Sequence, residues 1–185
     1  FYASVYKHNV LKNNKPVKIN KYTLGIELEV CYILKKNFFK LKQKISKNNM
    51  NKFIIYIAPC IEVVGYRQKK KGIKSFGDLC SDFGANVKFI VGTKKKFKNN
   101  NVNNLKTNIS NSKIKQSING NTNTVYINPM NSLLFVLKKL QKHKTKHDKD
   151  FYVFTGSSVG VVPILSKGIY KCKIEKLGYV GNKIN

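Results

Sequence analysis

A short polar turn, Ser166-Lys167-Gly168, is the first place in this chain where residue types and spacing suggest chemistry. It follows an apolar run from Val159 to Leu165, so a buried strand would hold the turn at a surface. Glycine lets a ligand approach the backbone, and serine and lysine supply a hydroxyl and a charge, the groups that contact RNA phosphates and 2′-hydroxyls. Alone, so short a motif more often marks an ordinary strand-to-helix turn.

A basic segment near the middle of the chain, RQKKKGIKSF, offers a second set of groups that could bind phosphate. Its cations are Arg67, Lys69, Lys70, Lys71 and Lys74. A solvated loop and a phosphate-binding loop explain such a run about equally well. The segment therefore strengthens the argument for a polyanionic partner only together with other features.

Carboxylates are scarce, because the chain has 8 Asp+Glu against 36 Lys+Arg. A metal-dependent nuclease or another RNA-processing enzyme would need acids that cluster. The close pairs are Glu27/Glu29, Asp78/Asp82 and Asp148/Asp150. On a predicted helix the first pair would face different directions, and the last pair lies in an exposed lysine-rich run. Asp78/Asp82 is left as a weak candidate, and we predict no catalytic residue.

Cysteines and histidines form no ligand pattern either. Cys31, Cys60, Cys80 and Cys172 are irregularly spaced and contain no C-x-x-C, which favours reduced, partly buried thiols over disulfides or zinc. His143 and His147 could share a helix face, but the lysines around them favour a solvated basic surface. The sequence therefore predicts no metal site and no cofactor.

The formal net charge of +28, with a pI of about 10.0, implies a polyanionic partner, and nucleic acid is the first candidate. Arg67 is the only arginine, and lysine suits phosphate better than base edges, so we expect salt-sensitive binding directed to the RNA backbone. No apolar run reaches the length of about 18 residues that would span a membrane. The abundance of Lys, Asn and Ile, with Phe1 in place of methionine, predicts a mitochondrial protein.

The first part of the chain is predicted to contain two helices and three strands. A short helix is predicted over Phe1 to Asn9 and a strand over Pro16 to Ile19. A longer helix is predicted over Tyr22 to Lys36, because apolar residues recur there at helical spacing and Thr23 can cap its start. Two β-forming runs, Phe53 to Ala58 and Ile61 to Tyr66, predict a hairpin.

The segment 84–150 is interpreted as an insertion. Its centre, Asn99 to Asn131, is rich in Asn, Thr and Ser, so we expect it to be a loop or disordered when free. Strands are predicted on either side, at Val87 to Val91 and Val125 to Ile127, and a helix over Ser132 to Lys142 with Ser132 as its cap. Strands are then predicted over Phe151 to Phe154 and Val159 to Leu165, followed by a short helix closed by Gly178 and Gly181.

Three segments, in the same order, resemble the universal small-subunit ribosomal protein eight family of bacterial and organellar type. Ser166-Lys167-Gly168, followed later by two glycines, resembles the closing segment of that family, although two hydroxyls of its Ser-Thr-Ser-Lys-Gly are absent here. The basic segment 67–76 resembles the link between the two halves of the family, without its proline. Residues 17–38 resemble its first strand and helix, with Asn37 in place of a glycine.

The resemblance implies an α+β fold class. An N-terminal α/β half (helix, strand, helix, hairpin) would occupy residues 1–68, and a C-terminal β-rich half would occupy residues 69–185, interrupted by the 84–150 insertion. The implied function is that of a structural constituent of the small ribosomal subunit, not an enzyme, which binds small-subunit ribosomal RNA in its central domain and supports platform assembly. Neighbouring small-subunit ribosomal proteins would be further partners through the insertion, and no membrane partner is expected.

The predicted RNA-binding residues are Thr23, Arg67, Lys69, Lys70, Lys71, Lys74, Ser166, Lys167, Gly168, Lys173, Lys176, Gly178, Gly181 and Lys183. Two alternatives stay open beside the ribosomal one. The chain could be an organelle-specific basic RNA-binding assembly protein outside this family, or an RNA-processing enzyme.

Overall fold

A computed structural model describes residues 2–13, 15–67, 75–126 and 128–185 of the chain. The described residues have an α+β fold in which strands predominate. The strands are β1 (Val10–Lys12), β2 (Thr23–Leu34), β3 (Ile54–Gly65), β4 (Asn86–Val91), β5 (Lys95–Lys96), β6 (Lys106–Asn111), β7 (Gln116–Asn121), β8 (Phe151–Ser157), β9 (Gly168–Ile174) and β10 (Gly178–Ile184). The α-helices are α1 (Lys47–Met50), α2 (Phe76–Ser81) and α3 (Pro129–Lys142).

The described strands form two sheets. The first has the order β1-β4-β3-β2-β8, with β5 beside β3, and the second has the order β10-β9-β6-β7. In the first sheet β1 runs parallel to β4, whereas the pairs that β3 and β2 make with their neighbours are antiparallel. All pairs in the second sheet are antiparallel. Among the described residues, no helix is long and apolar enough to cross a membrane.

The helix predicted over Tyr22 to Lys36 is wrong, because this segment forms the 12-residue strand β2. The apolar residues at helical spacing are only part of the pattern. Ile26, Val30 and Ile33 are β-branched residues that favour strands. Strand β2 lies between β3 and β8, so most of its side chains are buried on both faces and the alternation typical of an exposed strand is lost.

The predicted hairpin over residues 53–66 is also wrong, because β3 continues through Pro59 without a turn. Proline cannot donate to a neighbouring strand and usually interrupts a sheet. In this sheet the neighbouring strand of β3 changes at Pro59. On one side of the proline β4 pairs with β3 as far as Cys60, and on the other side β5 pairs with β3 at Tyr56 and Ile57. Between these two partners the Gly92 N–H donates to the Pro59 carbonyl at 2.9 Å.

The Asn-rich segment expected to be a loop or disordered is folded into the second sheet. Val102, Leu105 and Ile109 are buried, and β6 pairs with β9 from the end of the chain. The buried Thr122 hydroxyl accepts from the Leu105 N–H at 2.9 Å and donates to the Val102 carbonyl at 2.7 Å. Side-chain hydrogen bonds of this kind compensate for the small number of large apolar residues.

Other predicted elements of this region have mixed outcomes. The helix is confirmed, but it begins at Pro129, and the Asn128 side chain rather than Ser132 caps it. The strand predicted over residues 87–91 is confirmed as β4, and that over 151–154 as part of β8. Val125 lies outside any strand, and Ile127 lies outside the described residues. The division into halves at residue 68 stays a prediction, although strands from both ranges pair in the first sheet.

The two ends of the chain contain less helix than predicted. At the N-terminus only Lys7–Asn9 is helical, as a single 3₁₀ turn, and Val17 makes an isolated bridge to Ile184 instead of a full strand. The predicted strand over 159–165 is reduced to a bridge between Val162 and Ile26. The helix expected after residue 168 is the hairpin of β9 and β10, which turns at residues with positive φ, Lys176 (61°) and Gly178 (118°).

The main core lies between the two sheets. Ile26, Leu28 and Ile61 from the first sheet and Ile109 and Val180 from the second are fully buried in it. Residues between them on β2 and β3 face the other side of the first sheet and form a second cluster that includes the thiols of Cys31 and Cys60. We call this side, which also carries Glu27, Glu29 and Glu62, the carboxylate face.

Candidate metal centre

Three glutamates meet on the carboxylate face. Glu27 and Glu29 are two residues apart on β2, and side chains at this spacing on a strand point to the same face. The antiparallel register places Glu62 of β3 directly opposite Glu27. One carboxylate oxygen from each of the three lies within 4.8 Å of the other two. Strand pairing thus joins residues that are far apart in the chain.

Burial makes the ionised form of these carboxylates unfavourable. Glu29 is 2% exposed and Glu62 is 7% exposed. Burial, followed by repulsion from Glu29, raises the pKa of Glu27 to about 7 and the pKa of Glu62 well above its ordinary value. Burial also raises the pKa of Glu29, although hydrogen bonds from Glu62 and from the backbone of Gly156 and Thr155 act in the opposite direction. The hydrogen bond between Glu62 and Glu29 lowers the pKa of Glu29 and raises the pKa of Glu62, so it favours the proton on Glu62.

The arrangement fits a divalent cation. Oxygens that bind one such ion at about 2.0 to 2.6 Å cannot be more than about 5 Å apart, and the three glutamates satisfy this limit. The buried Oε2 of Glu29 has no hydrogen-bond partner among the described residues, so one acceptor in the cluster is left for a ligand. A donor set of carboxylate oxygens alone suits hard cations such as magnesium, manganese and calcium.

The end of β8, together with Ser158 directly after it, closes one side of the cluster. Ser157 pairs with Glu29 across β2 and β8. The Thr155 hydroxyl donates to the Val30 carbonyl at 3.0 Å, and the Ser158 hydroxyl donates to the Leu28 carbonyl at 2.7 Å. These bonds fix the end of β8 beside Glu29, where the backbone of Thr155 and Gly156 favours the ionised carboxylate.

An aromatic pair lies along the carboxylate face, next to the glutamates. Phe89 is opposite Glu62 and Phe154 is opposite Cys31, and their ring centroids are 4.0 Å apart. Burial and the neighbouring Glu29 raise the pKa of the Cys31 thiol, and the Lys94 ammonium lowers it. Because the net direction is upward, the thiol stays protonated and is not available to a metal ion.

The weak candidate pair Asp78/Asp82 has a structural role instead. The Asp82 side chain, 1% exposed, forms an ion pair with Arg67 at 3.0 Å and accepts the Arg67 N–H at 3.1 Å. Asp78 accepts from the Ser75 N–H at 2.9 Å and so completes the capping box of α2, whose N-cap is Ser75. Asp148 lies beside His147, and Asp150 accepts the Lys36 N–H at 2.9 Å. The prediction that Glu27 and Glu29 diverge is wrong, because the segment is a strand.

The residues predicted to bind RNA lie in three parts of the chain. Thr23 accepts from the Asn20 N–H at the start of β2, and the Arg67 guanidinium is engaged by Asp82 and the Asn86 carbonyl. Lys69, Lys70, Lys71 and Lys74 lie outside the described residues. Ser166, Lys167, Gly168, Lys173, Lys176, Gly178, Gly181 and Lys183 lie on or beside the hairpin of β9 and β10. Their assignment as RNA-binding residues stays a prediction.

Sequence reasoning missed Glu62 altogether. The available signal was the alternation of Glu27 and Glu29 with apolar residues in IELEV, which fits a strand with two acids on one face. The prediction of no metal site rested on cysteines, histidines and a helical reading of this segment. The carboxylate cluster replaces that prediction as the candidate site.

Comparisons with solved structures identify proteins of similar fold. No protein-family profile matches the chain, and a search of curated proteins finds no match. The solved structure of 4-oxalocrotonate decarboxylase from Pseudomonas putida G7, complexed with magnesium and adipate, matches with a TM-score of 0.79 at 16% identity. The match covers 96% of this chain and 67% of that chain.

Two further solved structures are similar. Maleylpyruvate hydrolase from Sphingobium sp. SYK-6, in complex with manganese(II) and pyruvate, matches with a TM-score of 0.68 at 12% identity, over 95% of this chain and 61% of that one. The 2-hydroxyhepta-2,4-diene-1,7-dioate isomerase from Mycobacterium marinum gives a TM-score of 0.69 at 15% identity, over 95% and 65%. The chain thus spans about two thirds of the length of these enzymes.

These matches correct the interpretation drawn from the sequence. The resemblance to ribosomal protein eight is wrong, and with it the ribosomal function, the partners in the small subunit and the expectation of a non-enzyme. The RNA-processing alternative has no support either. Of the segments that carried the resemblance, residues 17–38 contain strand β2, residues 168–184 form the hairpin of β9 and β10, and most of the basic segment 67–76 lies outside the described residues. The chain shares the fold of these enzymes.

Proposed function

We propose that the protein is a divalent-cation-dependent enzyme that acts on small 2-oxo carboxylic acids. The observation that carries the proposal is the cluster of Glu27, Glu29 and Glu62, whose oxygens lie within 4.8 Å of one another in a largely buried position. Structures with the same fold include enzymes complexed with magnesium, calcium and manganese, and two of these also contain adipate or pyruvate.

The electrostatics of the cluster support an ion rather than a purely structural hydrogen bond. Three carboxylates this close repel one another when ionised, and burial adds a desolvation cost. A structural role would be met better by amides or by apolar side chains. The cost of keeping three acids together is offset when a cation displaces their protons.

A cation in this position would supply Lewis-acid chemistry, polarising the carbonyl of a bound acid. The side chains of the protein have separate tasks. Glu62, whose pKa burial raises, must be deprotonated to bind a cation, and the amides of Thr155 and Gly156 favour the ionised form of Glu29. Phe89 and Phe154 keep water from one side of the cluster. The neighbours include a decarboxylase, a hydrolase and isomerases, so the reaction type stays to be assigned by assay.

Manganese binding measured by isothermal titration calorimetry at pH 8 tests the first half of the proposal. We expect the wild type to bind Mn²⁺ and Glu29→Gln to lose at least about tenfold in affinity, because one ionised ligand is removed. Glu175→Gln is the matched control, since Glu175 lies at the end of β9, outside the cluster. Equal Mn²⁺ affinity in Glu29→Gln and the wild type would contradict the site.

Turnover tests the second half. The Mn²⁺-loaded protein is incubated with a panel of 2-oxo mono- and dicarboxylic acids. Three signals are measured: the decrease in enol absorbance, the formation of carbon dioxide and the release of pyruvate. We expect turnover of at least one acid in the wild type and in Glu175→Gln, and none in Glu29→Gln. A protein that binds Mn²⁺ tightly but converts no member of the panel would refute the enzymatic part of the proposal.

A further inference from the structure

The outer face of the second sheet contains an open hollow with a volume of about 710 Å³. It lies over the hairpin of β9 and β10, in which exposed side chains alternate with buried ones. Its size is within the range of about 300 to 1,000 Å³ that is usual for small-molecule sites. We call it the hairpin hollow, and its lining includes Asn13, Ile169, Lys171, Tyr179, Gly181 and Lys183.

Gly181 forms the floor of the hairpin hollow. It lies within strand β10, where glycine weakens a sheet and often marks the close approach of a ligand or of another backbone. Its φ is not positive, so the backbone conformation does not require glycine. Among the described residues, the nearest non-neighbouring atom to a Cβ built there is the Tyr170 carbonyl oxygen, at 3.7 Å, which is an ordinary contact. The missing side chain therefore leaves space that no protein group fills.

Three lysines lie around Gly181 on the same face of the sheet. Lys171 is directly opposite Gly181, Lys183 is two residues further along β10, and Lys173 is opposite Tyr179. All three are exposed, and none forms an ion pair with an acidic residue in the described part of the chain. Lysine is a compact point charge that binds phosphate well. The hairpin hollow therefore attracts a phosphate group.

An aromatic ring lies at one end of the hairpin hollow. The Tyr179 side chain is 65% exposed, and an exposed ring of this kind is a surface on which a nucleobase can stack. Tyr179 and Lys183 are four residues apart on the same face, which corresponds to about 13 Å along the strand. Beside them the Asn13 side chain accepts the Gly181 N–H at 3.1 Å and so holds the segment before β2 at the edge of the hollow.

We propose that the hairpin hollow binds a nucleotide, with the base on Tyr179, the sugar over Gly181 and the phosphates between Lys171 and Lys183. A ring and a pair of cations separated by an empty floor match a single molecule that has a flat aromatic part and a phosphate. Inorganic phosphate would leave the ring unused, and an uncharged aromatic compound would leave the lysines unused. The inference is independent of the proposed function, because the hollow and the glutamates lie on opposite outer faces of the two packed sheets.

The test uses adenosine diphosphate as the probe, with binding measured by isothermal titration calorimetry at about 0.15 M salt, where long-range attraction is screened. A chelator keeps metal ions from the glutamates. We expect adenosine and inorganic phosphate each to bind at least about tenfold more weakly than the nucleotide, because each makes only part of the contacts. Tyr179→Ala and Lys171→Met/Lys183→Met should each weaken nucleotide binding about tenfold, through lost stacking and lost charge.

Two further variants show whether the effect belongs to the hairpin hollow. Gly181→Val should fill the floor and weaken nucleotide binding at least about tenfold, while circular dichroism shows an intact fold, since valine favours strands and its Cβ has room. Lys138→Met/Lys142→Met removes the same charge from exposed positions on α3 and should leave the affinity unchanged.

Three results would refute the proposal and leave the proposed function untouched. The first is a wild type that binds no adenosine diphosphate. The second is equal affinity for the nucleotide and for inorganic phosphate together with no loss in Tyr179→Ala, which would indicate a general anion surface. The third is an equal loss in the two double lysine variants, which would show that total charge and not this hollow determines the affinity.

Discussion

Replacing Glu27 with glutamine should make the metal-free protein more stable at alkaline pH. Glutamine keeps the size of the side chain but removes the charge that burial and Glu29 oppose. The variant therefore reports directly on the electrostatic cost of the cluster. A cation would reverse the order of stability, because it favours the ionised form of Glu27.

The magnitude follows from the pKa of Glu27, which the fold raises from 4.5 to about 7. One pKa unit corresponds to about 1.4 kcal/mol, so the folded state is penalised by about 3 kcal/mol once Glu27 is ionised. Below about pH 4.5 the residue is protonated in both the folded and the unfolded chain, and its full contribution to stability is present. That contribution is lost as the pH rises through about 7. Glu27→Gln should match the wild type near pH 4.5 and exceed it by about 3 kcal/mol at pH 8.

Urea unfolding followed by circular dichroism at several pH values, in the presence of a chelator, measures this difference. Circular dichroism is preferable to fluorescence because the chain has 10 Tyr and no Trp. Glu175→Gln removes the same kind of charge elsewhere and is the control. A second series with saturating Mg²⁺ should stabilise the wild type at pH 8 and leave Glu27→Gln nearly unchanged. A stability difference that is independent of pH, or that favours the wild type in the chelator, would refute the assignment.

Three further substitutions test contacts that stabilise the fold. In Gly25→Ala the new Cβ would overlap the Val162 carbonyl oxygen, so thermal unfolding should show a loss of about 2 kcal/mol, and an unchanged midpoint would show that this contact is not tight. Arg67→Met leaves the buried Asp82 carboxylate without its ion pair and should lower the free energy of unfolding in urea by about 2 kcal/mol. The double variant Arg67→Met/Asp82→Asn should recover most of this stability, because no unpaired charge is left buried. Ile109→Ala should cost about 3 kcal/mol, and no loss of stability would mean that the Asn-rich segment is not part of the core.

The sequence predicts individual elements better than it predicts their arrangement. Helix α3 is confirmed because its apolar residues recur at helical spacing, although its cap is Asn128 and not Ser132. Strand β4 is confirmed because it is rich in β-branched and aromatic residues. Strand β2 is misread because Leu24, Leu28 and Cys31 fit a helix while Ile26 and Val30 fit a strand, and a strand buried on both faces has no alternation to decide between them.

The site could be predicted only in part. Glu27 and Glu29 are recognisable as a close pair, but their geometry depends on whether the segment is a strand or a helix. Glu62 joins them through the register of β2 and β3, which spacing along the chain does not reveal. The mitochondrial location inferred from composition stays an untested prediction. The high charge was assigned to RNA binding, whereas such a charge is compatible with any anionic ligand.

The placement of three acids inside a chain of net charge +28 affects how its two ligands arrive. A surface rich in lysine attracts small organic anions and steers them toward the protein, but it repels free divalent metal ions. Added electrolyte shortens the range of both forces. Higher ionic strength should therefore slow the encounter with the organic acid and speed metal loading, so the order in which the two associate would depend on the medium.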